Sequence, residues 1–295
     1  MKVTLPEGIN RFSMYKLIKK IVDQDLRPKN KSISLDFSNL KFIEPVGFTV
    51  LSNLIEWLRK KDCMVEILEP SKCKYHDPSC PICFLDDSLF FERYVGKKRY
   101  EVSKPRKSSI PLSIISFHQS VQWLDETINW LASILSKQKS SLRDIHTCLG
   151  EIFNNINDHS SENTGCVFAQ HYPRKNIVRI AISDFGVGIP FNVQKIHPGL
   201  NDSQAITKAI EYGFTTRSTP RNGGRGLDTL IHSVVKNNQG SVYIHSNCGI
   251  LEATNDFGSI KVEERNAFGF YPGTLLEIVF RTDTIEEEEE EDFIW

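Results

Sequence analysis

Hydrophobic positions along residues 1–70 switch between two periods. VTLP (3–6) reads as a short strand, and residues 12–22 carry apolar side chains at helical spacing. SISLDF (32–37) alternates strongly, residues 46–58 form an amphipathic helical pattern, and MVEIL (64–68) returns to a strand pattern. Strands separated by helices of this length predict parallel pairing in an α/β sheet. From 117 to 159 the pattern is helical: VQWLDETINWLASIL is strongly amphipathic, and SSLRDIHTCLGEIFNNINDHS follows it. RIAISDFG (179–186) reads as a buried strand running into a glycine turn.

Within that second helix Glu151, Asn155 and His159 recur every four residues, so a helix lines them along one side. Ile152, Phe153 and Ile156 supply apolar contacts beside the line. Glu and Asn on a half-buried helix, facing Asp184 at a strand end, are poorly explained by stability alone. The pattern predicts a nucleotide site.

Size and charge narrow the picture. A chain of 295 residues is long enough for two domains, each with its own core. A net charge of −1 argues against broad capture of nucleic acid or membrane. It hides an acidic run at 286–292, which leaves the remainder mildly basic. No apolar run approaches the length of a membrane helix, and Met1 opens a strand-like segment and not a signal peptide. Seven scattered cysteines without an export signal predict reduced thiols and a cytoplasmic protein.

The stretch ISLDFSNLKFIEPVGFTVLSNLIEWLRKKDCMVEILEP resembles the central part of a STAS domain, the fold of anti-sigma-factor antagonists. DDSLFFERYVG (86–96) resembles the short helix that closes such domains. In that family a turn of the type D-S-S-G carries a phosphorylated serine. Here the turn is Glu44-Pro45-Val46-Gly47, with neither serine, and the nearest hydroxyls, Thr49 and Ser52, fall inside the predicted helix. The expected role is therefore a permanent docking or dimerising module that is not a substrate of its own chain. An insert at 70–84 holds Cys73, His76, Cys80 and Cys83, with Cys63 as an extra candidate ligand. Thiolates and imidazole suit zinc, but the gap between the pairs is short for a zinc module, so ordinary thiols are the first reading and Zn2+ the second. Residues 97–111, basic and poor in apolar side chains, read as a solvated linker.

The second half resembles the GHKL ATPases (gyrase, histidine kinases and MutL), with the anti-sigma serine kinases closest. Glu151-x3-Asn155-x3-His159 matches that family's first box, and Asp184-x-Gly186-x-Gly188 the second. FTTRS (214–218) with GGRGLDTL (223–230) resembles the lid and third box, and PGTLLEIVF (272–280) the closing strand. Each motif alone is usually a turn, a loop or a solvated helix; their joint order is what points to ATP. Chemically, the acceptor-only carboxylate of Asp184 suits the exocyclic amine of adenine. Gly186 and Gly188 permit close backbone approach and positive φ. Asn155 offers a hard amide oxygen to Mg2+. Gly223, Gly224 and Gly226 can turn N–H groups onto phosphates, with Arg217 or Arg225 on the γ-phosphate. Glu151 is placed to deprotonate a water or a protein hydroxyl. The resemblance adds Asp158, His159, Leu227 and Thr274 to the nucleotide-binding set.

DFG also invites a protein-kinase reading, but the glycine-rich loop, V-A-I-K lysine and H-R-D loop are missing. The expected architecture is a STAS-like α/β module (1–96), the linker (97–111), and a GHKL α/β sandwich (112–283) whose mixed sheet is covered by helices on one face. An acidic tail (284–295) follows. The expected activity is ATP hydrolysis or phosphotransfer to a protein partner in a bacterial signalling role. Alternatives are an ATP-responsive binding or dimerisation switch, or an autokinase on His118. A partner would dock through the STAS-like module or the acidic tail, and a homodimer is a further expected arrangement.

Overall fold

A computed structural model describes residues 1–70, 77, 79–159, 164–214 and 226–287, without the side chains of 116–118, 154–159 and 164. The chain opens with β1 (Lys2–Thr4), β2 (Gly8–Ile9), α1 (Met14–Ile21), β3 (Ser32–Asp36), β4 (Phe42–Ile43), α2 (Pro45–Lys60) and β5 (Met64–Leu68). β1, β3 and β5 pair in parallel, in the order β1-β3-β5, as strands joined by helical crossovers must. α1 buries Met14, Leu17, Ile18 and Ile21, an i, i+3, i+4, i+7 stripe. α2 begins at Pro45, which presets φ and forfeits no helical hydrogen bond at the first turn. The sequence pattern predicts α2 to be amphipathic, yet every residue from Pro45 to Ile55 is buried. A helix buried on all sides must have a second partner.

That partner is an antiparallel sheet. After α3 (Pro81–Asp87) and α4 (Phe90–Val95) come β6 (Ser109–Ser116), α5 (Phe117–Leu135), α6 (Arg143–His159), β7 (Thr164–Tyr172) and β8 (Ile177–Asp184). Then follow α7 (Gly188–Gln194), α8 (Asp202–Ala209), α9 (Gly226–Ile231), a π-helical segment (His232–Asn237), β9 (Ser241–Asp256) and β10 (Ser259–Arg281). The five strands lie in the order β6-β7-β8-β10-β9, and each neighbouring pair is antiparallel. Parallel and antiparallel pairing therefore occur in separate sheets, where a single mixed sheet was expected in the second half.

Alternation divides the strands between two cores. Val167, Ile180, Ile182, Ile244, Leu276 and Ile278 face α5, α6, α9 and the π-helical segment. Cys166, Phe168, Ala181, Tyr243, Tyr271 and Leu275 face the other way and join one cluster with the buried residues of α1 and α2. Helices were expected on one face only; the N-terminal segment covers the second. The second half thus keeps a core of its own, while the N-terminal core is shared with the back of the antiparallel sheet. Phe48 of α2 stacks on Phe168 of β7, with ring centroids 4.0 Å apart, and meets Phe84 of α3 edge-on at 5.1 Å.

The segment between the sheets departs from its sequence pattern in two places. The closing helix expected at 86–96 is two helices, parted where Leu89 takes a left-handed φ of 63°. The stretch read as a solvated linker is stapled down, and its last residues already belong to β6. Asp86, fully buried, accepts the backbone N–H groups of Arg99 (2.8 Å) and Tyr100 (2.9 Å) and the Ser103 hydroxyl. Arg106 pairs with Asp87 at 2.8 Å, and Arg99 pairs with Glu69. No helix among the described residues is long and apolar enough to cross a membrane.

A shared core predicts shared unfolding. Phe48→Ala should cost about 3–5 kcal/mol, the usual range for emptying a buried phenylalanine site. In urea, both sheets should melt in one transition shifted to lower denaturant. Separate transitions for the parallel and antiparallel sheets, read by hydrogen exchange in each, would contradict a common core.

Candidate functional site

Asp184 is the last residue of β8, and its side chain is buried. Its Oδ1 accepts the Gly186 N–H at 2.7 Å, a turn that fixes the carboxylate where the strand ends. Across the ladder Thr274 of β10 stands opposite Asp184, and Ser246 of β9 stands opposite Thr274. All three follow the parity of Ile182, Leu276 and Ile244, so they share the sheet face that α6 and α9 cover. Ser246 Oγ donates to the Gly273 carbonyl (2.7 Å), accepts the Ile189 N–H in the first turn of α7 (2.9 Å), and lies 3.2 Å from Thr274 Oγ1.

Two glycines make this crossing sterically feasible. Gly188 has φ +82°, and a Cβ there would lie 2.6 Å from Ser246 Oγ. Gly273 has φ +89° within the irregular register between Tyr271 and Thr274; its Cβ would lie 2.4 Å from the Asp184 carbonyl oxygen. Any larger residue at either position would push the acidic turn off the strand ends.

Asp184, Gly186, Gly188 and Thr274 are thus brought together at the strand ends. Glu151 lies half-buried on α6, beside buried Ile152 and Phe153. α6 packs against α7, which begins at Gly188, and against α9, which begins at Gly226 and continues with half-buried Leu227. Asn155, Asp158 and His159 are in the helical backbone of α6, at spacings that share a face with Glu151, but their side chains lie outside the described residues. Arg217, Gly223, Gly224 and Arg225 also lie outside them, as do Cys73 and His76. Cys80 precedes α3 and Cys83 is buried within it. Among the described residues no group of three His, Cys, Asp or Glu side chains is placed to hold a metal.

Sequence reasoning missed Ser246 and noticed Gly273 only as part of the closing strand's Gly-Thr pair. Gly273 had a signal, since a Pro-Gly pair inside a strand pattern marks a bulge or a close backbone approach. Ser246 had none: it is one hydroxyl in a strand, important only because β9 lies beside β10. Next to it, His245 is fully buried. Its Nε2 faces the Asn247 carbonyl at 3.1 Å and so carries the proton, leaving Nδ1 to accept from the Tyr15 hydroxyl at 3.1 Å. Burial, with the Arg265 charge acting in the same direction, lowers the pKa of His245 to about 4, although the Asn247 carbonyl opposes the shift.

No known family model matches the chain, and no curated protein does. Among solved structures it is similar to the B-subunit of the DNA gyrase from Myxococcus xanthus, at 11% identity and a TM-score of 0.30. The match covers 56% of this chain and 44% of that one, so the chain spans less than half of the gyrase subunit. A likeness at that level does not establish a shared fold.

His245 makes stability depend on pH. Its folded pKa of about 4 lies below the unfolded value near 6.5, so the unfolded chain binds more protons between the two. Full stability is expected above pH 6.5, with a penalty that grows as pH falls and is complete below about 4. The penalty should be on the order of 3 kcal/mol. His245→Asn, which does not titrate, should flatten that segment of the stability profile in chemical denaturation; an unchanged slope between pH 4 and 6.5 would contradict the assignment.

Proposed function

We propose that this chain is an ATP-binding regulatory protein that hydrolyses ATP or transfers its γ-phosphate to a protein partner. The observation that carries the reading is the buried Asp184 carboxylate, clamped by the Gly186 N–H at a three-strand crossing made possible by Gly188 and Gly273. An acceptor-only group on such a rigid frame suits an exocyclic amine, as in adenine. Thr274 lines the same face, its hydroxyl 3.2 Å from that of the buried Ser246. In this reading Asn155 would supply an oxygen to Mg2+, and the ion would offset the charge of the phosphates. Gly223, Gly224, Gly226 and an arginine (Arg217 or Arg225) hold the phosphate end.

Glu151 has the role of base. As the attacking oxygen bonds to the γ-phosphorus, its proton passes to the Glu151 carboxylate, the bond to the β-phosphate oxygen breaks, and ADP leaves. Half-burial beside Ile152 and Phe153 would limit water around that carboxylate. The acceptor is water or a hydroxyl on a protein partner that docks through the N-terminal module or the acidic tail.

Calorimetry and turnover separate the two carboxylates. Asp184→Asn should weaken ATP binding about tenfold or more, because an amide presents a donor to the amine where an acceptor is needed. Glu151→Ala should bind ATP like the parent while turnover falls roughly 100-fold or more. Parent-like ATP affinity in Asp184→Asn would overturn the adenine assignment.

Zinc is a separate question. Cys83 is buried in α3 and half-buried Cys80 immediately precedes that helix, while Cys73 and His76 lie outside the described residues. The expected result of elemental analysis, after purification without chelator, is protein without zinc. About one equivalent would instead assign Cys73, His76, Cys80 and Cys83 as a structural site.

A further inference from the structure

We infer that α2 is the back wall of the candidate nucleotide site and that Asn53 is a positioning residue for Asp184. The inference rests on the ATP reading above for its functional consequence, but its geometry is independent of it. Neighbouring strand residues point to opposite faces, so behind each residue of the site stands one that faces the N-terminal segment. Behind Asp184 is Ser183, and its hydroxyl accepts a hydrogen bond from the Asn53 side-chain amide. Behind Ser246 is His245, bonded to Tyr15 of α1. Phe185, which follows Asp184, meets Trp57 of α2 at 6.4 Å and Tyr271 at 5.4 Å, both edge-on. Every contact from α1 and α2 just named reaches a residue that adjoins the site.

Asn53 is 6% exposed and, with Thr49 and Ser52, is one of the buried polar residues of α2. A helix built for packing alone would place an aliphatic residue there, since a buried amide is unfavourable unless its partner is well placed. Its partner, Ser183, is 1% exposed and directly precedes Asp184. The Tyr271 hydroxyl, fully buried, lies close to the same pair without completing a hydrogen bond of its own, and burial raises its pKa. The result is a small polar cluster beneath the acidic turn, enclosed by aromatic rings. Its hydrogen bond ties the end of β8 to α2, so a shift of α2 against the sheet moves the carboxylate. The N-terminal segment is on this account part of the binding site, and a partner acting on it would change affinity for nucleotide.

The test is Asn53→Ala in the full chain, read two ways. By calorimetry, ATP affinity should fall about tenfold in the parent background and less than about twofold when Asp184→Asn is already present, because both changes act through one carboxylate. By hydrogen exchange without nucleotide, amides at 183–188 should exchange faster while those at 32–36 in the parallel sheet do not. Parent-like affinity with parent-like exchange at 183–188 would overturn the inference, as would equal acceleration in both sheets. If the parent chain itself binds no ATP, the ATP reading falls, and local acceleration at 183–188 still supports the back wall. Should Asn53→Ala fail to fold, Tyr15→Phe removes only the hydroxyl on His245. Local acceleration at 245–247 is then the supporting result, and unchanged exchange there the overturning one.

Discussion

From Pro45 to Ile55 α2 is held between two sheets with no solvent face, and that constraint organises the molecule. Its apolar side chains serve two cores, and its polar ones must find partners inside. Thr49 donates to the Val46 carbonyl at 3.1 Å; Ser52 bonds the Tyr94 hydroxyl and accepts from the Cys166 thiol at 3.1 Å. Both hydroxyls are fully buried. Neither can meet an incoming phosphoryl group unless α2 leaves the sheet, which agrees with the absence of serine from the Glu44-Pro45-Val46-Gly47 turn. The same burial removes α2 from the surfaces through which the N-terminal segment can dock.

Charged residues lock the arrangement at its rim. Arg11 pairs with Glu252 at 3.0 Å and approaches Glu277 at 3.7 Å. Arg179 lies 3.5 Å from Glu277 and 3.6 Å from Glu44, the residue that precedes α2. Glu277 is 3% exposed, and burial raises its pKa even though the two guanidinium groups pull the other way. Such pairs contribute little net stability once desolvation is counted, yet removing one partner strands a buried charge. Their effect is to favour one placement of α1 and α2 on the sheet over its neighbours. That placement sets Asn53 under Ser183.

The site itself is built from strand ends and glycines more than from reactive side chains. Three strands bring Asp184, Thr274 and Ser246 into line, and two left-handed glycines allow α7 and the β10 bulge to close around them. Rigid elements hold such a constellation more closely than loops do, and support from behind completes it. The helices that carry Glu151 and Gly226 cover the same sheet face, so a ligand held by Asp184 would lie toward both.

Much of this was legible along the chain. β1, α1, β3, α2, β5, α6 and β8 overlap the segments their periodicity marks, because the 2.0 and 3.6 periods arise from bond geometry that every residue shares. Asp184, Gly186 and Gly188 stood out for a similar local reason: an acid and two glycines at a strand end can do little else than turn and accept. What stayed hidden depended on partners distant in sequence. Periodicity says how many faces of an element are apolar but not which neighbour covers them, so α2 read as amphipathic and the basic stretch before β6 as free. Ser246 and Asn53 carry no local signal at all. Each is a small polar residue whose meaning is set by the residue opposite, and only the packing of β9 on β10, and of α2 on β8, decides which residue that is.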